Sequence, residues 1–384
     1  MKMALLTDGI YPFVIGGMQR HSYFLAKYLA RHQIFVRVYH CIPTDEQSYE
    51  EKLRFVFSEA ELEYLEFVCV PFDFVARFPG YYILESYRYS KRIFEHLQRD
   101  FSAFDFIYAK GFTSWYLLQH KWGDVPPVGI KLHGYEMYQY AFGVKEKLQH
   151  YLLRFLARYV SMRADVVFSY GGKISELLIN RLHIPFQKII ELPAGIEESL
   201  ISVRCTEYHD PVRFVFVGRY EERKGIRSLN KAIQRLIAQK EAFEFHFIGA
   251  IPKHMQIKDA RVKYYGVLWG YVAIKDILKE MDVGVCPSYS EGMPNVIIEA
   301  MANGLTVIAT DVGAVRLLVN EETGYLIENN EVDTLVQVLT SVIHERKEVL
   351  QLKKEAALQH IQRFKWEDII KRFVEEIKRF LLLR

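Results

Sequence analysis

Short apolar runs alternate with longer amphipathic segments along most of the chain, and few architectures accommodate that rhythm. "KMALLT" reads as a buried strand, a loop with Gly16 and Gly17 follows, and "MQRHSYFLAKYLARH" has helical spacing. "IFVRVYH", "FDFIYAK", "PVGIKLH" and "ADVVFSY" continue the series, the last three each followed by a segment able to form a helix. After a polar stretch at 204–210, "VRFVFVG" opens a second series, with a helix predicted over 226–239. "FEFHFIG", "VKYYG", "DVGVCPS", "TVIAT" and "GYLIE" complete it. This alternation is the signature of largely parallel sheets covered by helices. The expectation is an α/β chain of two Rossmann-like, doubly wound domains facing each other across a cleft. Ligands in such sheets sit beyond the carboxyl ends of the strands.

Domain boundaries are expected at 1–197 and 198–364, with the amphipathic tail "FKWEDIIKRFVEEIKRFLLLR" closing the second domain or crossing back onto the first over 365–384. A chain of 384 residues is long for one ordinary domain. Half its residues are hydrophobic and a quarter charged, as in soluble globular proteins, and a formal charge of +3 argues against a nucleic-acid partner. Cys41, Cys69, Cys205 and Cys286 form no CxxC or metal-ligand spacing and read as reduced thiols. "MKMALLTDGIYPF" is interrupted by Asp8 and Pro12, so it reads as part of the fold rather than a signal peptide. No segment approaches the length of a spanning helix, and a cytoplasmic location is expected.

The stretch "SEGMPNVIIEAMANG" carries the chemistry. Glu291 lies in a loop after the strand "DVGVCPS", and Glu299 lies inside an apolar run expected to be helical from Pro294 to a stop at Gly304. The amides around Pro294 to Val296, Asn295 and Val296 among them, form an exposed helix amino end, a ready anion site, and Gly292, Met293 and Pro294 lead into it as further donor-binding candidates. An acid one turn further in can hold a hydroxyl pair. Alternatively, Glu299 makes a local salt bridge and Glu291 caps the helix. "VFVGRYEERKG" adds Gly218, Arg219 and Lys224 after the first strand of the second series. Two cations around one turn suit a diphosphate, where charge builds as a bond to phosphate oxygen breaks. Alone, they also read as solvated cations beside Glu221 and Glu222.

Together, "GRYEERKG" and "SEGMPNVIIEAMANGLTVIATDVGA" resemble the carboxyl half of the family-4 retaining glycosyltransferases of GT-B fold, whose E-x7-E spacing matches Glu291 to Glu299. The Gly16-Gly17 loop, "KLHGYE" and "ELPAGIEE" extend the resemblance over nearly the whole chain. The resemblance implies transfer of a hexosyl group from a nucleotide diphosphate sugar to a glycan or lipid-linked acceptor, with retention, in cell-surface polysaccharide or glycolipid synthesis. It implies that Arg219 and Lys224 bind the donor diphosphate and stabilise the leaving group. Glu291 would face the transferred sugar, Glu299 the ribose, and Asn295 and Val296 would offer amides to donor phosphate or sugar. Gly17 would let the backbone approach the phosphates, and His133 would stand near the sugar. No cofactor and no metal are expected, and no Asp-x-Asp motif is present. Asp8 and Asp311 read as isolated loop caps. Other classes are a GT-B relative such as a nucleotide-sugar epimerase, or a non-catalytic sugar-nucleotide-binding module.

The chain departs from the pattern at Ala194, where Asn is common, and at Gly171-Gly172, where an Asn-Ser pair is frequent and a helix cap worth about 1 kcal/mol is expected to be lost. The acceptor is expected on the amino-terminal domain. There "GVKEKLQHYLLRFLARYVSMR" sets Lys145, Lys147, Arg154, Arg158 and Arg163 against one acid, with Leu148, Leu152, Phe155 and Tyr159 at helical spacing. "RFPGYYILESYRYSKRIF" adds Tyr81, Tyr82, Arg88, Lys91 and Arg92. One reading is peripheral contact with an anionic membrane surface. The other is a core-facing helix with a solvated basic face.

Overall fold

A computed structural model describes residues 1–42, 48–72, 80–121, 123–268 and 271–384. Arg77, Phe78 and Pro79, which begin the second basic stretch, lie outside the described residues. The chain divides into two compact units: Met1–Tyr170, Ile174–Pro193 and Trp366–Arg384 form the first, and Gly171–Lys173 with Ala194–Lys365 the second.

The first unit holds β1 (Lys2–Leu6), β2 (Phe35–His40), β3 (Leu65–Cys69), β4 (Phe106–Lys110), β5 (Val128–Lys131), β6 (Val166–Ser169) and β7 (Ile189–Glu191). They pair in parallel in the order β3-β2-β1-β4-β5-β6-β7. Helices α1 (Gly17–Arg31), α2 (Tyr81–Leu97) and α3 (Gly143–Arg163) belong to the same unit. β4 and β5 are buried at every residue, as expected of strands covered on both faces. Strands β3 and β7 were not foreseen; both are part-exposed outer strands without a continuous apolar run.

The second unit contains β8 (Val212–Val217), β9 (Phe243–Ile248), β10 (Val262–Gly266), β11 (Val283–Cys286), β12 (Thr306–Thr310) and β13 (Gly324–Ile327), all parallel, in the order β10-β9-β8-β11-β12-β13. Its helices include α4 (Ile226–Ala238), α5 (Asn295–Ala302) and α6 (Lys347–Ile361). Each sheet reverses its strand order once, between β1 and β4 and between β8 and β11, and ligands in doubly wound sheets bind at such points.

The last helix, α7 (Trp366–Leu382), belongs to the first unit. Its anchor is aromatic: Trp366 stacks on Phe24 with centroids 5.5 Å apart, and Phe373 meets Tyr108 and Phe168 edge-on. The Gly171-Gly172 departure has a steric explanation. Both residues have positive φ, and a Cβ on Gly172 would come within 3.1 Å of the Gly313 carbonyl. Lys173 then donates its amide to that same carbonyl at 2.9 Å.

Candidate active site

The turn after β8 and the loop after β11 flank the switch point of the second sheet. Lys224 reaches from the first to Glu291 on the second, Nζ to Oε1 at 2.6 Å. Ser288 donates its hydroxyl to the same oxygen at 2.8 Å, and Arg223 Nη1 lies 3.7 Å from Oε2. Glu291 is buried, so these contacts are what makes its charge tolerable there. It is a carboxylate held by chain segments far apart in sequence.

The two segments are stitched together through backbone. Tyr289 donates its amide to the Arg223 carbonyl at 2.8 Å, and Arg223 Nη1 donates to the Ser290 carbonyl at 2.9 Å. Gly225 follows Lys224 with φ +70°, and a Cβ there would lie 1.9 Å from the Pro287 carbonyl oxygen, so only glycine permits this approach. From the other side, Ala314 donates its amide to the Gly292 carbonyl at 2.7 Å.

Arg219 does not join this cluster. Its side chain is 78% exposed and pairs with Glu221 at 3.0 Å, a solvent-screened contact. Arg223 was not singled out from the sequence. It sits inside an acidic-basic run that reads as solvated, and its partners Ser290 and Glu291 lie far along the chain.

Pro294 is the N-cap residue and helix α5 begins at Asn295, a correction of one position. As first-turn residues, Asn295 and Val296 have amides without intrahelical acceptors, and both residues are half-buried. Met293 is buried and its Sδ accepts the Ala194 amide at 3.2 Å. Glu299, one turn into α5, is buried, which rules out an acid facing bulk water. Gly218 directly follows β8 and donates its amide to the Ile248 carbonyl at 2.9 Å. Asp311 is not an isolated acid: Lys173 lies 2.8 Å and Arg316 2.7 Å from it. Burial works to raise its pKa, but the hydrogen bonds from Arg316 and Lys173 outweigh that and lower it.

The first unit has its own pocket, about 410 Å³, at the switch point of its sheet; Asp8, Lys110, His133, Tyr82, Glu136 and His150 are among its lining residues. Lys110 donates to the Met18 carbonyl at 2.5 Å and to Ser22 Oγ at 2.7 Å, fixing the start of α1. Burial depresses its pKa to about 7, against the attraction of Asp8. Asp8 is shifted upward by burial, although Lys110 works against that.

His133 Nδ1 is 2.7 Å from Tyr170 Oη, while its Nε2 is buried with no hydrogen-bond partner among the described residues. Burial, then Lys110 and Lys131, hold this imidazole well below its ordinary pKa, so it is neutral near pH 7. Gly17 is exposed as the first residue of α1. Gly16 has extended φ; what limits it is space, since a Cβ would meet the Gln19 side chain at 2.3 Å. A larger cavity of about 660 Å³, lined by Arg204, Cys205, Lys275 and Asn303 among others, holds none of the predicted site residues.

Comparison with known proteins gives the following. The family model described as Glycosyltransferase Family 4 matches residues 15–200, and that described as Glycosyl transferases group 1 matches 211–345. A putative teichuronic acid biosynthesis glycosyltransferase, TuaC of Bacillus subtilis, is 36% identical over 135 residues, 34% of this chain and 33% of the relative. The UDP-Gal:alpha-D-GlcNAc-diphosphoundecaprenol alpha-1,3-galactosyltransferase of Escherichia coli is 25% identical over 246 residues, 58% of this chain and 61% of the relative. The chain thus spans less than two thirds of the length of these two relatives. Sucrose-phosphate synthase from Thermosynechococcus elongatus superposes with a TM-score of 0.79 at 17% identity, covering 100% of both chains, and shares the fold.

Proposed function

Because the chain belongs to the family 4 and group 1 glycosyltransferases and has the GT-B fold, we propose that it moves a hexosyl group from a nucleotide diphosphate sugar to a glycan or lipid-linked acceptor, with retention at the anomeric carbon. The observation that carries this reading is the Lys224–Glu291 pair, flanked by Arg223, at the switch point of the second sheet. The acceptor class follows the names of the relatives, one tied to teichuronic acid biosynthesis and the other to a diphosphoundecaprenol-linked sugar.

In this reading the donor diphosphate lies against Lys224 and the amides of Asn295 and Val296, with Arg219 turning in from Glu221. As the bond from the anomeric carbon to the leaving phosphate oxygen breaks, negative charge grows on that oxygen, and these groups stabilise it. The chain's own cations supply this charge, so the proposal invokes no metal. Glu291, held in place by Lys224 and Ser288, accepts hydrogen bonds from the transferred sugar, and Glu299 does so from the ribose. Gly218, Gly292, Met293 and Pro294 shape the backbone around the phosphates. The roles implied for Gly16, Gly17 and His133 toward the donor belong to the same proposal.

A thermal-shift screen against nucleoside diphosphates and their sugar conjugates tests it. A ligand that binds only the native state raises Tm by mass action, by roughly 2.7 kcal/mol of stability at a hundredfold excess over Kd. One nucleotide should raise Tm in the wild type and much less in Lys224→Ala. No shift with any nucleotide would remove the proposal.

A further inference from the structure

Helix α3 is apolar on two sides. Leu153, Leu156, Ala157 and Val160 face the core of the first unit, and Gln149, His150 and Leu153 line its pocket. The other side exposes Val144, Leu148, Tyr151, Leu152, Phe155 and Met162, with Phe155 at 78%. The core-facing reading of Leu148, Leu152 and Phe155 is therefore corrected: they point outward, and Leu153 and Leu156, one position after Leu152 and Phe155, fill the core.

The charges around this strip are one-sided. Lys145, Lys147, Arg158 and Arg163 are exposed, and among the described residues none of them has a carboxylate within ion-pair distance. The helix's one acid, Glu146, accepts from the Phe142 amide at 2.5 Å and lies 3.8 Å from His150. Helix α2 is different, since Lys91 lies near Glu95, and Arg88 and Arg92 near Glu85. The basic character read over both stretches thus narrows to α3.

An apolar strip of Leu, Phe, Tyr and Met along a 21-residue helix, bordered by four exposed cations without a carboxylate partner among the described residues, matches the headgroup region of an anionic bilayer. Apolar side chains enter the acyl boundary while the cations meet lipid phosphates. We propose that the outer face of α3 docks on an anionic lipid surface and brings the pocket on its inner face to a membrane-held acceptor. The second clause rests on the glycosyltransferase reading; the docking itself does not.

The test is co-sedimentation of the full chain with phosphatidylserine–phosphatidylcholine vesicles and with phosphatidylcholine alone, without donor. Wild type should pellet with the anionic vesicles at low salt and release at high salt. Leu148→Glu/Phe155→Glu and Lys145→Glu/Lys147→Glu change exposed side chains only, and each should lower partitioning about tenfold or more. Both should keep the nucleotide-induced Tm shift of the wild type, so a failure of docking and a failure of donor binding are read separately. Absence of binding to anionic vesicles, or equal binding by the variants, overturns the proposal. So does a concentration-dependent dimer abolished by Leu148→Glu/Phe155→Glu, which would assign the face to a second copy.

Discussion

At the scale of single residues, Lys224 has two separable duties. It neutralises a buried carboxylate now, and in the proposed reaction it meets the leaving phosphate. Lys224→Ala should cost about 1–3 kcal/mol of stability by leaving Glu291 under-compensated, and adding Glu291→Gln should restore much of it. Transfer should fall by ~3–4 kcal/mol of transition-state stabilisation in the single variant and stay low in the double. Urea unfolding and turnover assays on the single and double variants separate these effects. Exposed Arg219 lacks the first duty, so Arg219→Ala should lower transfer and leave stability within ~0.5 kcal/mol.

A second residue-scale consequence concerns pH. His40 is buried between the Cys41 carbonyl and Tyr49 Oη, and burial lowers its pKa to about 4. Between about pH 6.5 and 4 the unfolded chain takes up a proton that the folded chain refuses. Stability is therefore full above about 6.5 and is lost as pH falls, by roughly 3 kcal/mol once pH is below 4. In wild type minus His40→Gln, this loss should appear as a difference growing toward acid in urea titrations; a flat difference would contradict it.

At the scale of elements, strands buried on both faces are visible in sequence because nothing polar interrupts them. β4, β5, β11 and β12, buried at every residue and polar only at their ends, could be read directly for that reason; β8 could be read although Arg213 interrupts it. β3 and β7 could not, since "LEFVC" and "IIE" are short and lie half in solvent. Helix α3 shows another limit: periodicity finds an apolar stripe, but with two stripes it does not say which one is inside. Leu156→Ala should cost about 2–5 kcal/mol and Leu148→Ala less than about 0.5 kcal/mol, as chemical denaturation would show. In the site, Glu291 and Lys224 were legible from motif spacing, whereas the part of Arg223 depends on hydrogen bonds that close only in the fold. Gly225→Ala tests the element joining the two loops. It should destabilise by more than about 1 kcal/mol and weaken nucleotide binding, because the added methyl displaces Lys224 from Glu291.

At the scale of the molecule, the last helix is part of the first unit's core although the chain has passed through the whole second unit before reaching it. A chain ending at residue 365 loses Trp366, Phe373 and Ile377, all buried. Hydrogen exchange should then rise across β4 and β6, whose Tyr108 and Phe168 touch Phe373, while β8 and β11 stay protected. The two-unit plan was legible from the two strand series, but the return of α7 was not, because an amphipathic helix carries no record of which sheet it covers.

The central claim is that the second unit grips a diphosphate at its switch point. A crystal structure with the nucleoside diphosphate chosen by the thermal screen tests it most directly. The account predicts phosphate oxygens within hydrogen-bond distance of Lys224 Nζ and the Asn295 or Val296 amide, with Arg219 released from Glu221. A diphosphate bound elsewhere, with the Lys224–Glu291 pair unchanged, would contradict it.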